Sequence, residues 1–339
     1  MRERSEIVIA IAPNSAANTF VNAFGRALAE GGFRVVGYSY GSQLPKGTEV
    51  LIMHWPDVFF SEQTERRTAE LNQLLNEWIA AKENRGLHLV WVMHNLRPHN
   101  ESAGRSDLKR RFLTSLDGII YLSKYSREAF LETYGVNVPH ALVCKHGHYR
   151  DDMLSPPRPP PPTWQGIEVC CFGQIRAYKG LEDLIECADG FGGLKVTVTG
   201  YRRDSTYSAK IEALAKGRGA VQLDLRNNRL PLSELEAVID RCHGVVLPYR
   251  SILNSGAVLF ALSRHRPVLC PHLGSLPEVQ ADVGADWLHL YRGALEASVL
   301  RSFVEYLSGT EPKACDLSAY DWEPIGQSLR QFIDRICAD

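Results

Sequence analysis

Charge of one sign is scarce in this 339-residue chain: 38 Lys and Arg meet 39 Asp and Glu, a formal net charge of −1. Residues 1–150 hold 18 basic against 15 acidic side chains, and the remainder 20 against 24. A duplex-binding domain carries a strong basic excess, so this balance argues against nucleic acid as the main partner. Long apolar runs are also missing, and none reaches the ~20 residues that a membrane-spanning helix needs. The start, Met-Arg-Glu-Arg-Ser-Glu, leads into a strand pattern without signal-peptide architecture, so a cytoplasmic protein is expected. The eight cysteines include no Cys-x-x-Cys pair. Cys144, Cys170, Cys171 and Cys270 sit in apolar strand contexts, which implies buried thiols and neither disulfides nor zinc. No Gly-x-Gly-x-x-Gly follows the first strand, where Pro13-Asn-Ser-Ala-Ala-Asn18 stands instead, so the nicotinamide-binding fingerprint is absent.

What is present reads as an ordinary globular α/β chain, 45% hydrophobic and 23% charged, long enough for two cores. Apolar periodicity predicts strands at 7–12, 33–38, 50–54, 87–93, 118–122 and near 141–144. Helices over 20–30, 62–82, 108–116 and 127–134 alternate with them, the pattern of a parallel sheet. The run Ser155-Pro-Pro-Arg-Pro-Pro-Pro-Pro162 is too stiff for helix or central strand and predicts an interdomain linker. Further βα units start at Ile167, Lys195, Val221, Gly244, Pro267 and Trp287. An amphipathic helix through Ile325, Leu329, Phe332 and Ile336 closes the chain. The expected domains are 1–150, a linker at 151–165, 166–315, and a tail at 316–339.

Two loops carry chemistry. In Phe172-Gly-Gln-Ile-Arg-Ala-Tyr-Lys-Gly180 an apolar strand is expected to end at Gly173, with Arg176 and Lys179 just before a helix through Leu181, Leu184 and Ile185. Two cations and a positive helix end would converge there on an anion, such as a diphosphate. The plainer reading is a punctuated loop with solvated cations. In Gly244-Val-Val-Leu-Pro-Tyr-Arg250 a second buried strand leads to Leu253-Asn-Ser-Gly256, where Asn254 or Ser255 suits a helix N-cap and Gly256 would leave backbone N–H groups bare. In a doubly wound sheet both loops lie at the carboxyl edge of the strands, where ligands bind.

The turns His54-Trp-Pro-Asp57, His94-Asn-Leu-Arg-Pro-His99 and His146-Gly-His-Tyr-Arg-Asp151, with the two loops above, closely resemble the xanthan-assembly type of GDP-mannose:glycolipid β-1,4-mannosyltransferase, glycosyltransferase family 94. Asp316-Leu-Ser, Asp321-Trp322 and Ile325-Gly326 extend the resemblance to the tail. It implies a GT-B fold, two doubly wound Rossmann-like domains facing a cleft, an N-terminal one for the acceptor and a C-terminal one for the nucleotide sugar. It further implies transfer of mannose from GDP-mannose, with inversion, onto a polyprenyl-diphosphate-linked oligosaccharide at the inner membrane face, in exopolysaccharide assembly. Inversion needs a base for the acceptor hydroxyl and a stabiliser for the leaving diphosphate. Asp57 is the first candidate base, Glu101 the second, with His94 beside them. Asp57 stands where the family has Glu, and Asn100 where it has an acidic residue, with Glu101 adjacent. His54, Trp55 and His99 are candidates for the acceptor, and Gly173, Arg176, Tyr178, Lys179, Tyr249, Asn254, Ser255 and Gly256 for the donor. His146 and His148 are assigned to a hinge or to the donor.

No cofactor or metal is expected, since the chain lacks the Asp-x-Asp triad that holds metal and diphosphate in the other major glycosyltransferase architecture. Many retaining relatives carry two glutamates seven residues apart in the stretch that corresponds to Ile252 to Phe260 here, where apolar residues stand instead, which favours inversion. Peripheral contact with an anionic membrane is expected from Arg105, Lys109, Arg110, Arg111, Phe112, Lys124 and Arg127 with the turn Val58-Phe59-Phe60. A solvated basic helix face would look the same. A UDP-sugar or retaining transferase, and a non-catalytic nucleotide-sugar sensor, remain as alternatives.

Overall fold

A computed structural model describes residues 6–14, 18–56, 59–60, 64–96, 106–189, 191–311 and 313–338. The chain forms two compact units, the first made of residues 1–147 and 320–339, the second of 148–319.

The first unit holds a parallel sheet built from β1 (Val8–Ala12), β2 (Arg34–Gly37), β3 (Thr48–His54), β4 (His88–Met93), β5 (Gly118–Tyr121) and β6 (His140–Val143), in the order β2-β1-β3-β4-β5-β6. Strands β3, β4 and β5 read as continuous apolar runs because they are central in the sheet and buried on both faces. Helices α1 (Thr19–Glu30), α2 (Glu65–Arg85), α3 (Ser106–Ser115) and α4 (Lys124–Tyr134) connect them. Asn18, Thr64 and Ser123 cap α1, α2 and α4 through side-chain oxygens that accept backbone N–H groups. The tail helix α11 (Trp322–Ile336) returns to this unit and packs on α1, burying Ile325, Leu329, Phe332 and Ile336 in one core with Phe20, Phe24 and Leu28.

The second unit repeats the plan with β7 (Ile167–Ile175), β8 (Leu194–Arg202), β9 (Val221–Arg226), β10 (Gly244–Val246), β11 (Val268–Pro271) and β12 (Leu288–Tyr291), ordered β12-β11-β10-β7-β8-β9. Its helices are α5 (Leu181–Cys187), α6 (Ser205–Ala215), α7 (Leu232–Asp240), α8 (Gly256–Ser263), α9 (Leu276–Val283) and α10 (Ala297–Gly309). The strand order reverses between β7 and β10, which makes the carboxyl ends of these two neighbours the ligand-binding position of such a sheet.

Two expectations change. The proline run is not a free linker, because it lies inside the second unit. Arg264 donates to the carbonyls of Ser155 and Pro156, and Arg266 to that of Arg158. Both guanidinium groups are buried, and Arg264 is paired with Asp240. The unit boundary therefore falls at 147/148, with a return at 319/320. Phe59, Phe60 and Phe112 of the expected membrane patch are core residues. All three are buried, with Phe59 stacked on Phe112 at 4.7 Å and Phe60 tilted against Trp91. Arg111 is held by Asn72 and Asn76, each at 2.6 Å. Val58 and Arg105 lie outside the described residues. The four cysteines expected to be buried thiols are buried and free. No helix among the described residues is long and apolar enough to cross a membrane.

Candidate active site

At the carboxyl ends of β7 and β10 the two loops singled out by their sequence meet. The Arg250 amide donates to the Tyr178 carbonyl at 2.8 Å, and the Tyr178 and Tyr249 rings lie parallel with centroids 6.2 Å apart. Gly180 adopts a left-handed φ of 63°, and any Cβ there would overlap the Pro248 carbonyl, so this junction requires glycine. The Tyr249 hydroxyl is 2.9 Å from Ser255 Oγ, which in turn caps α8 by accepting from the Val258 amide at 3.3 Å. Asn254 precedes that cap and Gly256 is the first helical residue, both half-buried.

Lys179 is the centre of the arrangement. It is only 5% exposed, its Nζ donates to the Phe172 carbonyl at 3.0 Å, and it lies 5.0 Å from the centre of the Tyr249 ring. Among the described residues it has no ion-pair partner, and neither does the half-buried Arg176. A buried ammonium without a carboxylate is unfavourable until an anion arrives, which makes the pair a candidate anion site.

The strand does not end at Gly173. It continues to Ile175, paired with β8 through Arg202, and Gly173 sits inside it at φ 115°. A Cβ on Gly173 would stand 3.0 Å from Lys179 Nζ, and one on Gly200 would overlap the Gly173 carbonyl. Gly200 was not anticipated; the Thr199-Gly200 pair becomes meaningful only once the β7–β8 register is known. The positive helix end also differs from expectation. α5 begins with its own Glu182 and Asp183, and Arg250 pairs with Asp183 at 2.9 Å. Those carboxylates answer the α5 dipole, leaving Lys179 and Arg176 as the candidate anion-binding groups. Glu182, also unforeseen, is buried and accepts from Tyr207 at 2.6 Å and Lys210 at 2.9 Å.

In the first unit, His54 and His94 end neighbouring strands and meet, Nδ1 to Nε2, at 2.9 Å. Phe20 packs on both and on His146, whose ring lies 4.2 Å from it. Burial holds His54 down to about 3 and His146 to about 4 from an ordinary 6.5, and pushes His94 well below it, with His54 and His146 adding to the effect. All three imidazoles are thus neutral near pH 7. His54 was expected to meet acceptor hydroxyls, yet it is fully buried and its contact is with His94. Trp55 is half-buried, stacks on His94 with centroids 4.0 Å apart, and has a φ of 48°, rare for a bulky residue. The expected bases Asp57 and Glu101, with His99, lie outside the described residues.

His146 and His148 flank the boundary between the units. His146 belongs to the first, with Nδ1 2.9 Å from the Gly147 carbonyl, and His148 to the second, its Nδ1 accepting from the Arg150 amide at 3.3 Å.

No family model matches the chain. Two curated proteins of Xanthomonas campestris pv. campestris, both named GDP-mannose:glycolipid 4-beta-D-mannosyltransferase, are 27% identical to it over 299 and 295 residues, covering 86% of this chain and 81% of theirs. Among solved structures, sucrose-phosphate synthase from Thermosynechococcus elongatus aligns over 98% of this chain and 99% of its own, with a TM-score of 0.67 and 14% identity. HepE of Anabaena in complex with UDP gives 0.63 at 12% identity, covering 97% and 100%. WaaG, a glycosyltransferase involved in lipopolysaccharide biosynthesis, gives 0.57 at 14%, covering 97% and 95%. With named mannosyltransferase homologues along most of its length and two parallel six-stranded sheets in the GT-B plan, the chain is a glycosyltransferase of the GT-B architecture.

Proposed function

We propose that the protein moves mannose from GDP-mannose to a polyprenyl-diphosphate-linked oligosaccharide with inversion of the anomeric centre, at the inner face of the cell membrane during exopolysaccharide assembly. The carrying observation is the buried, carboxylate-free Lys179 beside Arg176 at the switch point of the second sheet. The donor and acceptor classes come from the names of the Xanthomonas relatives.

The diphosphate binds Lys179 and Arg176, and the first amides of α8 face its remaining oxygens. As the bond from the sugar carbon to the diphosphate oxygen breaks, charge grows on that oxygen, and two cations already in place stabilise it without a metal ion. The acceptor oxygen attacks from the opposite face and its proton passes to a base of the first unit, Asp57 first and Glu101 second. A neutral His94, locked by His54 and stacked under Trp55, orients this region.

The reading is tested with GDP- and UDP-sugars and lipid-linked acceptors in the presence of EDTA, with NMR of the new linkage. GDP-mannose turnover giving a β-linked mannose is expected, and Asp57→Asn is expected to abolish it. An α-linked product would remove the inversion, a preference for UDP-sugars would remove the donor, and tight donor binding without turnover would favour the sensor.

A further inference from the structure

A cavity of about 400 Å³ opens in the second unit, lined by His243, Pro267 and Trp287, the residues that directly precede β10, β11 and β12. It is therefore at the amino edge of the sheet, opposite the anion loops. Pro160–Pro162 and the end of α10 complete it.

The buried wall carries an unsatisfied donor. His243 is 5% exposed, and its Nδ1 accepts from the Glu168 amide at 3.0 Å. Burial lowers its pKa, so the neutral ring carries its proton on Nε2. That buried Nε2 makes no well-formed hydrogen bond among the described residues, although the Pro161 carbonyl lies close enough to favour its proton. A buried donor so poorly met favours a ligand that can accept from it.

The rest of the lining offers the opposite chemistry. The hydroxyls of Tyr306, Ser308 and Thr310 donate to the carbonyls of Asp286, Val304 and Tyr306, so the Ser308 and Thr310 oxygens can accept. Asp286 and Glu311 add carboxylates against a single Lys313. An anionic ligand, including a second nucleotide sugar, is disfavoured by that balance. A neutral molecule with many hydroxyl donors and an apolar face is favoured, because the rings of Trp287 and Tyr306 are among the lining.

We propose that this cavity is a neutral-glycan-binding site, distinct from the donor loops and separate from catalysis. It rests on the transferase reading only for the origin of the glycan.

Saturation-transfer NMR of the full chain with mannobiose and with cellobiose, in saturating GDP, tests it. Transfer to at least one sugar is expected to persist with GDP bound. It should weaken by about tenfold or more in Ser308→Trp, which fills the cavity from an exposed position of α10, and in Trp287→Ala. GDP-mannose turnover onto a short acceptor should be unchanged in Ser308→Trp. Absence of transfer to both sugars, its loss on adding GDP, or equal transfer in Ser308→Trp would each overturn the proposal. If mannose turnover fails while sugar binding and its loss in Ser308→Trp persist, the function falls and this site stands.

Discussion

At the residue scale, the decisive groups are those whose burial and charge disagree. Lys179 sits among Phe172, Tyr178 and Tyr249 with a single carbonyl acceptor and no carboxylate among the described residues. A protein optimised for the empty state would place an apolar side chain there. Lys179→Met is therefore expected to leave the melting temperature equal or higher, while turnover falls by about 10²–10³-fold, the typical loss of one preorganised charge-stabilising donor. Calorimetry and initial rates measure both, and a variant with normal rates sinks the role. The histidine cluster makes a second prediction. His54 and His146 take a proton near 6.5 when unfolded but only near 3 and 4 when folded, because burial penalises the cation. Their contribution to stability is complete above about pH 6.5 and is lost as pH falls toward 4. Each can impose a slope of up to ~1.4 kcal/mol per pH unit. Urea midpoints should drop between pH 7 and 4.5, and His54→Gln should flatten the drop; an unchanged slope in that variant contradicts the assignment.

At the element scale, strands declare themselves in the sequence and registers do not. Strands β3, β4 and β7 were legible because central parallel strands are apolar on both faces, and α11 because its apolar residues recur at helical spacing. The loops after β7 and β10 were legible as partners because a doubly wound sheet brings such turns to one edge. Gly173 was misread because glycine after an apolar run usually marks a turn, whereas here the ladder to β8 continues and Gly200 makes room for it. Phe59 and Phe60 were misread because an apolar turn looks the same whether it faces a bilayer or, as here, Phe112 and Trp91. Position 173 carries its own prediction. Gly173→Ala places a methyl group against the Lys179 ammonium at a φ of 115°, strain worth roughly 1–3 kcal/mol. Titration calorimetry with GDP should show weakened binding together with a lowered melting temperature, and full GDP affinity would mean that Lys179 does not set the anion site.

At the scale of the whole molecule, the chain crosses between its units twice, so the first unit is assembled from both termini. Helix α11 supplies part of that unit's core. Without a side chain on Gly118, Phe332 and Ile336 reach the sheet, and a Cβ on Gly326 would stand only 3.2 Å from the Ala27 carbonyl oxygen of α1, so glycine there lets α11 pack close. The amphipathic tail predicted from sequence is thus a structural member of the first unit, and the reason was hidden because periodicity gives a helix its buried face without naming what covers it. Phe332 is 1% exposed, and truncating such a side chain costs about 3–5 kcal/mol. In Phe332→Ala, urea unfolding followed by the near-ultraviolet signal should split into two transitions. The one belonging to the first unit should move to lower denaturant, while the second unit and its affinity for GDP remain as in the parent protein. A single transition that moves as one, with GDP binding lost alongside, would show that the two units do not unfold independently and that the tail stabilises both.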